Sequence, residues 1–257
     1  MERFTGRRIL VSGSGSGMGR AIVLRLLREG GTVVGVDISA DGLEGTAALA
    51  EKEGTADRLT TRVLDISDEA AVTDVVGSSI TDLGGLDVLV NAAGMLRAAH
   101  THEETLEQWN RVIGVNLTGT FLMVRTALPA LVESGAGVII NFASTSATFA
   151  HPYMTAYAAS KGGIQSMTHS LALEYAKQGL RAVTMVPGGV ESNMTATTLG
   201  ILPEDRDWDL FGKLQPVLGG GRFGSAESVA GVVAMAASED GAFISGTEIR
   251  IDGGCHG

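Results

Sequence analysis

The sequence predicts an α/β fold in which a doubly wound parallel sheet is flanked by helices, a single domain spanning residues 1–257. Three observations carry that prediction. Short apolar, β-branched runs recur along the chain, longer segments with helical periodicity separate them, and the first strand passes through a glycine-rich loop straight into the first helix. Strand and helix alternating along a whole chain is the pattern of a parallel sheet covered on both faces. Such a sheet binds ligands beyond the carboxyl ends of its strands, where the strand order reverses.

In chain order, strands are predicted at Ile9–Val11, Thr32–Val36, Arg62–Leu64, Val88–Val90, Val138–Ile140, Ala182–Val186 and Glu248–Ile251. Between them, Arg20–Glu29 places Ile22, Val23, Leu26 and Leu27 on one apolar stripe, the i, i+3, i+4 spacing of an amphipathic helix. Further helices are predicted at Asp41–Glu53, Glu69–Thr81, Leu106–Val132, Tyr153–Lys177 and Ala226–Ala237. From Glu191 to Gly224 the periodicity lapses, and the stretch carries Pro203, Pro216 and Gly219-Gly220-Gly221. An irregular insertion of that length, about 191–224, reads as a lid or binding loop. No internal repeat of fixed period is visible.

Composition narrows the function classes. With 19 Lys+Arg against 29 Asp+Glu the formal charge is −10, so a basic face for nucleic acid is not expected. Cys255 is the single cysteine, which suits a reducing compartment and excludes an internal disulfide. Arg3, Arg7 and Arg8 precede an apolar run that stops at Ser12, too short for the core of a secretion signal. No membrane span and a cytoplasmic location are expected.

The loop Ser12-Gly13-Ser14-Gly15-Ser16-Gly17-Met18-Gly19 lets the backbone turn sharply and aims the N–H groups of a helix start at an anion. Met18 stands where G-x-G-x-x-G needs its last glycine, so the spacing is G-x-x-x-G-x-G, and no lysine follows to make a Walker loop. A phosphate-bearing cofactor fits. Asp37 ends the second strand, where a carboxylate accepts hydrogen bonds from a ribose 2′-hydroxyl and repels a 2′-phosphate. The loop itself offers no Arg or Lys, so NAD is favoured over NADP. The alternative role for Asp37 is a helix N-cap, for which Ser39 and Asp41 compete better.

Tyr157 and Lys161 lie four residues apart in a helical segment and project from one face. A nearby ammonium lowers a phenol pKa from about 10 and makes the pair a tuned acid/base. Alone, the spacing is also that of a solvated helix face. Together with Ser12-Gly13-x-x-x-Gly17-Met18-Gly19, Asp65, Asn91-Ala92-Ala93-Gly94, Asn116, Ser144 and Pro187-Gly188-Gly189-Val190-x-Ser192, in that order, the chain resembles the classical short-chain dehydrogenase/reductase family, whose fold is of the Rossmann type. The ending Gly246…Asp252-Gly253-Gly254 resembles the family's last strand.

The resemblance implies a hydride transfer between NAD(H) and a secondary alcohol or ketone. Tyr157 would exchange the proton, Ser144 would bond the same substrate oxygen, Lys161 would lower the Tyr157 pKa and hold the nicotinamide ribose, and Asn116 would anchor a water relay through its helix backbone. Gly13, Ser16, Gly17, Met18 and Gly19 would cradle the phosphates, Asp65 and Ile66 would contact adenine, and Asn91, Ala92 and Gly94 would line the ribose side. Pro187, Gly188 and Val190 would pack on the nicotinamide, and His151 and Met194 would join Ser144 in the substrate pocket. Relatives are usually tetramers built through the two longest helices and the last strand, so a homo-oligomer, tetramer or dimer, is expected. Ser12, Ala92 and Ser192 depart from the family's usual Thr, Asn and Thr, which touches fine positioning only.

Other readings stay on the page. A reductase of 3-oxoacyl thioesters, usually NADPH-dependent in similar proteins, is the nearest enzyme alternative, and a dinucleotide-sensing regulator without catalysis is the non-enzyme one. A hydrolase triad around Ser144, His151 and His169 lacks G-x-S-x-G and an acid in order. His100, His102, Glu103 and Glu104 read as a solvated stretch rather than a metal site, and Cys255 as a packed or tail residue. Met194, Leu199, Ile201, Leu202, Trp208, Phe211 and Leu214 in the irregular stretch either close over a hydrophobic substrate or serve loop packing and oligomer contact.

Overall fold

The computed structural model describes residues 2–192 and 200–255, apart from the side chains of Gly212 and Lys213. Seven strands form one parallel sheet: β1 Arg8–Ser12, β2 Thr32–Asp37, β3 Leu59–Val63, β4 Val88–Asn91, β5 Val138–Phe142, β6 Arg181–Pro187 and β7 Thr247–Ile251. Their order is β3-β2-β1-β4-β5-β6-β7. The chain therefore begins at the centre, winds outward to β3, and crosses back to continue on the other side of β1. That reversal between β1 and β4 opens a crevice at the carboxyl ends of the strands.

The helices are α1 Gly17–Arg28, α2 Ala40–Lys52, α3 Glu69–Leu83, α4 Leu106–Ile113, α5 Thr120–Glu133, α6 Thr155–Glu174 and α7 Ala226–Ala237. Alternation along the strands sends successive side chains to opposite faces. Ile9, Val11 and Val88 join Ile22, Leu26, Val229 and Val233 under α1 and α7, whereas Leu10, Leu89 and Ile139 join Val76, Met123 and Leu131 under α3 and α5. The helix starts are satisfied locally: Ser39 accepts from Gly42 N–H, Asp68 from Ala71 N–H, and Thr105 with Gln108 forms a capping box.

Three sequence expectations change in detail. β3 lies at Leu59–Val63, not Arg62–Leu64, because its pairing with β2 sets Val33 beside Leu59 and Asp37 beside Val63. The long helix predicted over Leu106–Val132 is broken by a π-helical turn at Gly114–Gly119. There Gly119 passes so close to Ile66 that a Cβ would lie 2.8 Å from its Cγ1, and the wider turn carries the buried Asn116. By length and composition Leu106–Glu133 could cross a membrane, but here Leu122, Met123, Ala127 and Leu131 are buried in the core beneath the helical layer. Finally, Tyr153 lies outside α6, with φ +66°, the one non-glycine residue with positive φ among those described. It is held there by Ala99 N–H donating to its carbonyl at 2.8 Å and Asp207 N–H donating to its hydroxyl at 2.9 Å.

The irregular stretch carries short 3₁₀ turns at Trp208–Leu214 and Leu218–Gly220. It is tied back to the sheet by a parallel bridge between Val190 and Gly224.

Candidate active site

The strand ends bring the sequence motifs to one crevice, which divides into two adjoining cavities of about 570 and 560 Å³. Met18, Ala92, Gly94 and Ser192 border both.

The first cavity lies over the glycine loop. Gly13 has φ +73°, and a Cβ there would stand 2.6 Å from the Ala93 amide nitrogen, so only glycine lets β1 and β4 approach this closely. Ser12 Oγ accepts from Ala93 N–H at 3.3 Å and ties the two loops together. The N-terminus of α1 differs from those of α2, α3, α4 and α7. Its N-cap Ser16 makes no side-chain cap bond and its first turn holds no acid, so free N–H groups and the positive end of the helix dipole face the cavity. That is the chemistry of a phosphate cradle.

Asp37 borders the same cavity. Its Oδ2 accepts from Gly15 N–H and its Oδ1 from Ser39 N–H, both at 2.9 Å, while Ser39 is the helix cap. Arg20 sits behind the loop, donating to the carbonyls of Gly15 and Gly42 and to Thr46; it does not line the cavity. Gly13, Ser16, Gly17, Met18, Gly19, Asp65, Ile66, Ala92 and Gly94 all line it as expected. Asn91 does not. It is buried inside β4, where its amide donates to Asn141 Oδ1 at 2.9 Å, and Asn141 in turn donates to Thr168 on α6 at 2.9 Å. The side chain fastens the sheet to α6 instead of reaching a ligand. Sequence reasoning missed Asn110 and Arg111, which border this cavity from the end of α4; their spacing marked them only as helix surface.

The second cavity holds Ser144, His151, Tyr157, Lys161, Pro187, Gly188 and Val190. Ser144 ends the loop after β5; its Oγ accepts from Ser146 N–H at 3.2 Å and shares the cavity with the Tyr157 phenol. Burial pushes the Tyr157 pKa above its ordinary value, and Ser144 opposes that shift. The expected lowering by Lys161 is not found: its Nζ donates to the Phe142 carbonyl at 2.8 Å and stands 5.6 Å from the centre of the phenol ring. Desolvation lowers the Lys161 pKa to about 8. Asn116 is fully buried in the π turn: its side chain bonds both the N–H and the carbonyl of Met95, at 2.8 and 2.9 Å, and donates to Ser160 at 3.0 Å. A Cβ on Gly94 would lie 3.3 Å from Asn116 Oδ1 and 3.5 Å from Lys161 Nζ, so these three residues converge.

His151 Nε2 lies 3.2 Å from Thr145 Oγ1. Leu202, Trp208, Phe211 and Leu214 border the cavity as the hydrophobic-lid reading has it, while Met194 and Leu199 lie outside the described residues. His100 pairs with Asp205 at 2.8 Å, and among the described residues no group of three or more His, Cys, Asp or Glu converges. Thr145, Gln215 and Phe223 also border the cavity without having been singled out from the sequence.

The arrangement supplies an anion cradle, a carboxylate beside it and a hydroxyl–phenol–ammonium set in the adjoining cavity. The chain as a whole is similar to known proteins. A family model described as short chain dehydrogenase matches residues 7–199. The 3-oxoacyl-acyl-carrier-protein reductase of Thermotoga maritima is 35% identical over 98% of each chain. The crystal structure of levodione reductase superposes with a TM-score of 0.90 at 33% identity, covering 98% of each chain. A short chain dehydrogenase from Mycobacterium paratuberculosis, bound to NAD, has a TM-score of 0.91 at 28% identity, again over 98% of each chain. On fold, site and relatives alike, this chain belongs to the short-chain dehydrogenase family and is an oxidoreductase acting on CH–OH groups.

Proposed function

We propose that the chain transfers a hydride between NAD(H) and a secondary alcohol or its ketone, with Tyr157 as the general acid/base. The observation that carries this is the convergence of Ser144, Tyr157 and buried Lys161 on one cavity that adjoins a phosphate cradle bordered by Asp37. The nicotinamide, when bound, supplies the hydride acceptor or donor. The chain's residues do the rest. Ser144 and Tyr157 bond the carbinol oxygen, and Tyr157 takes its proton on oxidation or returns one on reduction. Lys161 is a positive charge that favours the phenolate once it is drawn toward the ligand, and Asn116 fixes the floor of the site through Met95 and Ser160.

The NAD preference is supported by the negative charge of Asp37 and by Arg20 being engaged behind the loop. The similarity to an NAD-bound neighbour agrees. The second reading, reduction of 3-oxoacyl thioesters, is favoured by the Thermotoga relative; Asp37 weighs against the NADPH such enzymes usually prefer. Exposed Phe121 on α5, Leu173 on α6 and Phe243 before β7 support a homo-oligomer, which the solution mass by light scattering tests. A cytoplasmic location is consistent with the single cysteine.

The decisive variant is Tyr157→Phe. Turnover should fall by about 10²–10⁴ while NADH affinity stays within about twofold. A dinucleotide-sensing regulator would be indifferent to the change.

A further inference from the structure

Apart from Lys161, the described lining of the substrate half holds no lysine, arginine, aspartate or glutamate. Leu96, Leu202, Trp208, Phe211 and Phe223 form its sides. Two described charges on the neighbouring loop have partners of their own. Asp205 pairs with His100, and Arg206 lies 4.4 Å over the Trp208 ring and donates to the Pro203 carbonyl at 2.9 Å.

The aromatic wall is anchored. Phe211 stacks on Tyr153 with centroids 6.0 Å apart, His100 meets the edge of the same ring at 5.1 Å, and Asp207 N–H donates to its hydroxyl. Tyr153 is held at φ +66°, a conformation that persists only where the surroundings over-determine it. Besides the catalytic set, the polar side chains among its described lining residues are Ser192 on the cofactor side, the Trp208 indole, Gln215 and the Thr145–His151 pair, with Thr145 adjoining Ser144 in sequence.

A carboxylate, sulfonate or phosphate placed against such a wall would lose its hydration and gain no cation, an unfavourable exchange. A flat or ring-shaped apolar body gains contact with Trp208 and Phe211. The cavity, about 560 Å³, must also admit the nicotinamide, which leaves room for a compact molecule only.

We propose that the substrate is uncharged: a ring-sized secondary alcohol or its ketone, with a second neutral oxygen that bonds the Thr145–His151 pair. This deepens, and rests on, the dehydrogenase reading above.

The test compares trans-cyclohexane-1,2-diol and cyclohexanol with two anions of similar carbinol chemistry, 3-hydroxybutyrate and its coenzyme A thioester, following NADH formation. The diol should show kcat/KM at least about tenfold above either anion. His151→Ala should lower kcat/KM for the diol about tenfold more than for cyclohexanol, and Phe211→Ala should raise KM for both rings about tenfold with kcat little changed. Equal or faster turnover of an anion overturns the proposal. So does an equal loss for both rings in His151→Ala, or failure of both rings to turn over and to bind the NADH-loaded enzyme. Failure to bind NADH, or a Tyr157→Phe enzyme as fast as the wild type, defeats the dehydrogenase reading instead, which is a separate result.

Discussion

The two halves of the crevice are built on different principles. The cofactor half is made of backbone: strand ends, the Gly13 turn and the uncapped start of α1, with Asp37 the conspicuous side chain. The substrate half is made of side chains, several of them on a stretch that includes 3₁₀ turns and rests on Tyr153 and His100. A backbone cradle allows little sequence choice, because a Cβ at Gly13 collides with Ala93. An apolar wall accepts many side chains, and this is where one fold can change substrates without changing its cofactor.

Lys161 sits where the halves meet, and its replacement should have the largest effect. Lys161→Met should remove nearly all turnover, and it should also stabilise the protein at neutral pH. The sign follows from the depressed pKa, about 8 when folded against 10.5. Burial penalises the charged form, so the penalty is fully present below pH 8 and is relieved as pH rises toward 10.5. Thermal melts should therefore show the variant ahead by about 3 kcal/mol at pH 7, with the gap closing above pH 9 to 10.

A smaller effect should be confined to the substrate half. The His100–Asp205 pair is exposed, and Asp205 raises the His100 pKa, with Glu103 adding to it; His102 and Tyr153 are its ring neighbours. The charge attraction is present when His100 is protonated and fades as pH rises through the raised pKa. Asp205→Asn should raise substrate KM by about twofold in mildly acidic buffer, with little effect at alkaline pH and none on NADH affinity. A change in NADH affinity would show that the halves are not separable.

The contrast also explains what was legible in the sequence. Strands such as Ile9–Val11 and Val138–Ile140 show as β-branched runs, and α1 shows through its stripe of Ile22, Val23, Leu26 and Leu27, because burial imposes a period. The cofactor residues were readable because their spacing is tied to strand ends. Asn91 was the exception: it lies in the same motif, yet sheet pairing turns its amide to Asn141. The π turn around Asn116 and the positive φ of Tyr153 depend on tertiary partners, Ile66, Met95 and Asp207, that leave no local periodicity. Apolar residues of the irregular stretch could be seen, but not which of them face the site: Trp208 and Phe211 border the cavity, whereas Leu218 is exposed.

The central claim is that the backbone cradle and Asp37 select NAD, and it is tested most directly by titrating the wild type and Asp37→Ala with NADH and NADPH and following nicotinamide fluorescence. The account predicts that the wild type binds NADH at least about tenfold tighter than NADPH and that the preference collapses in the variant, chiefly through a gain in NADPH affinity. Equal or tighter binding of NADPH by the wild type would contradict it and put the thioester reductase reading first.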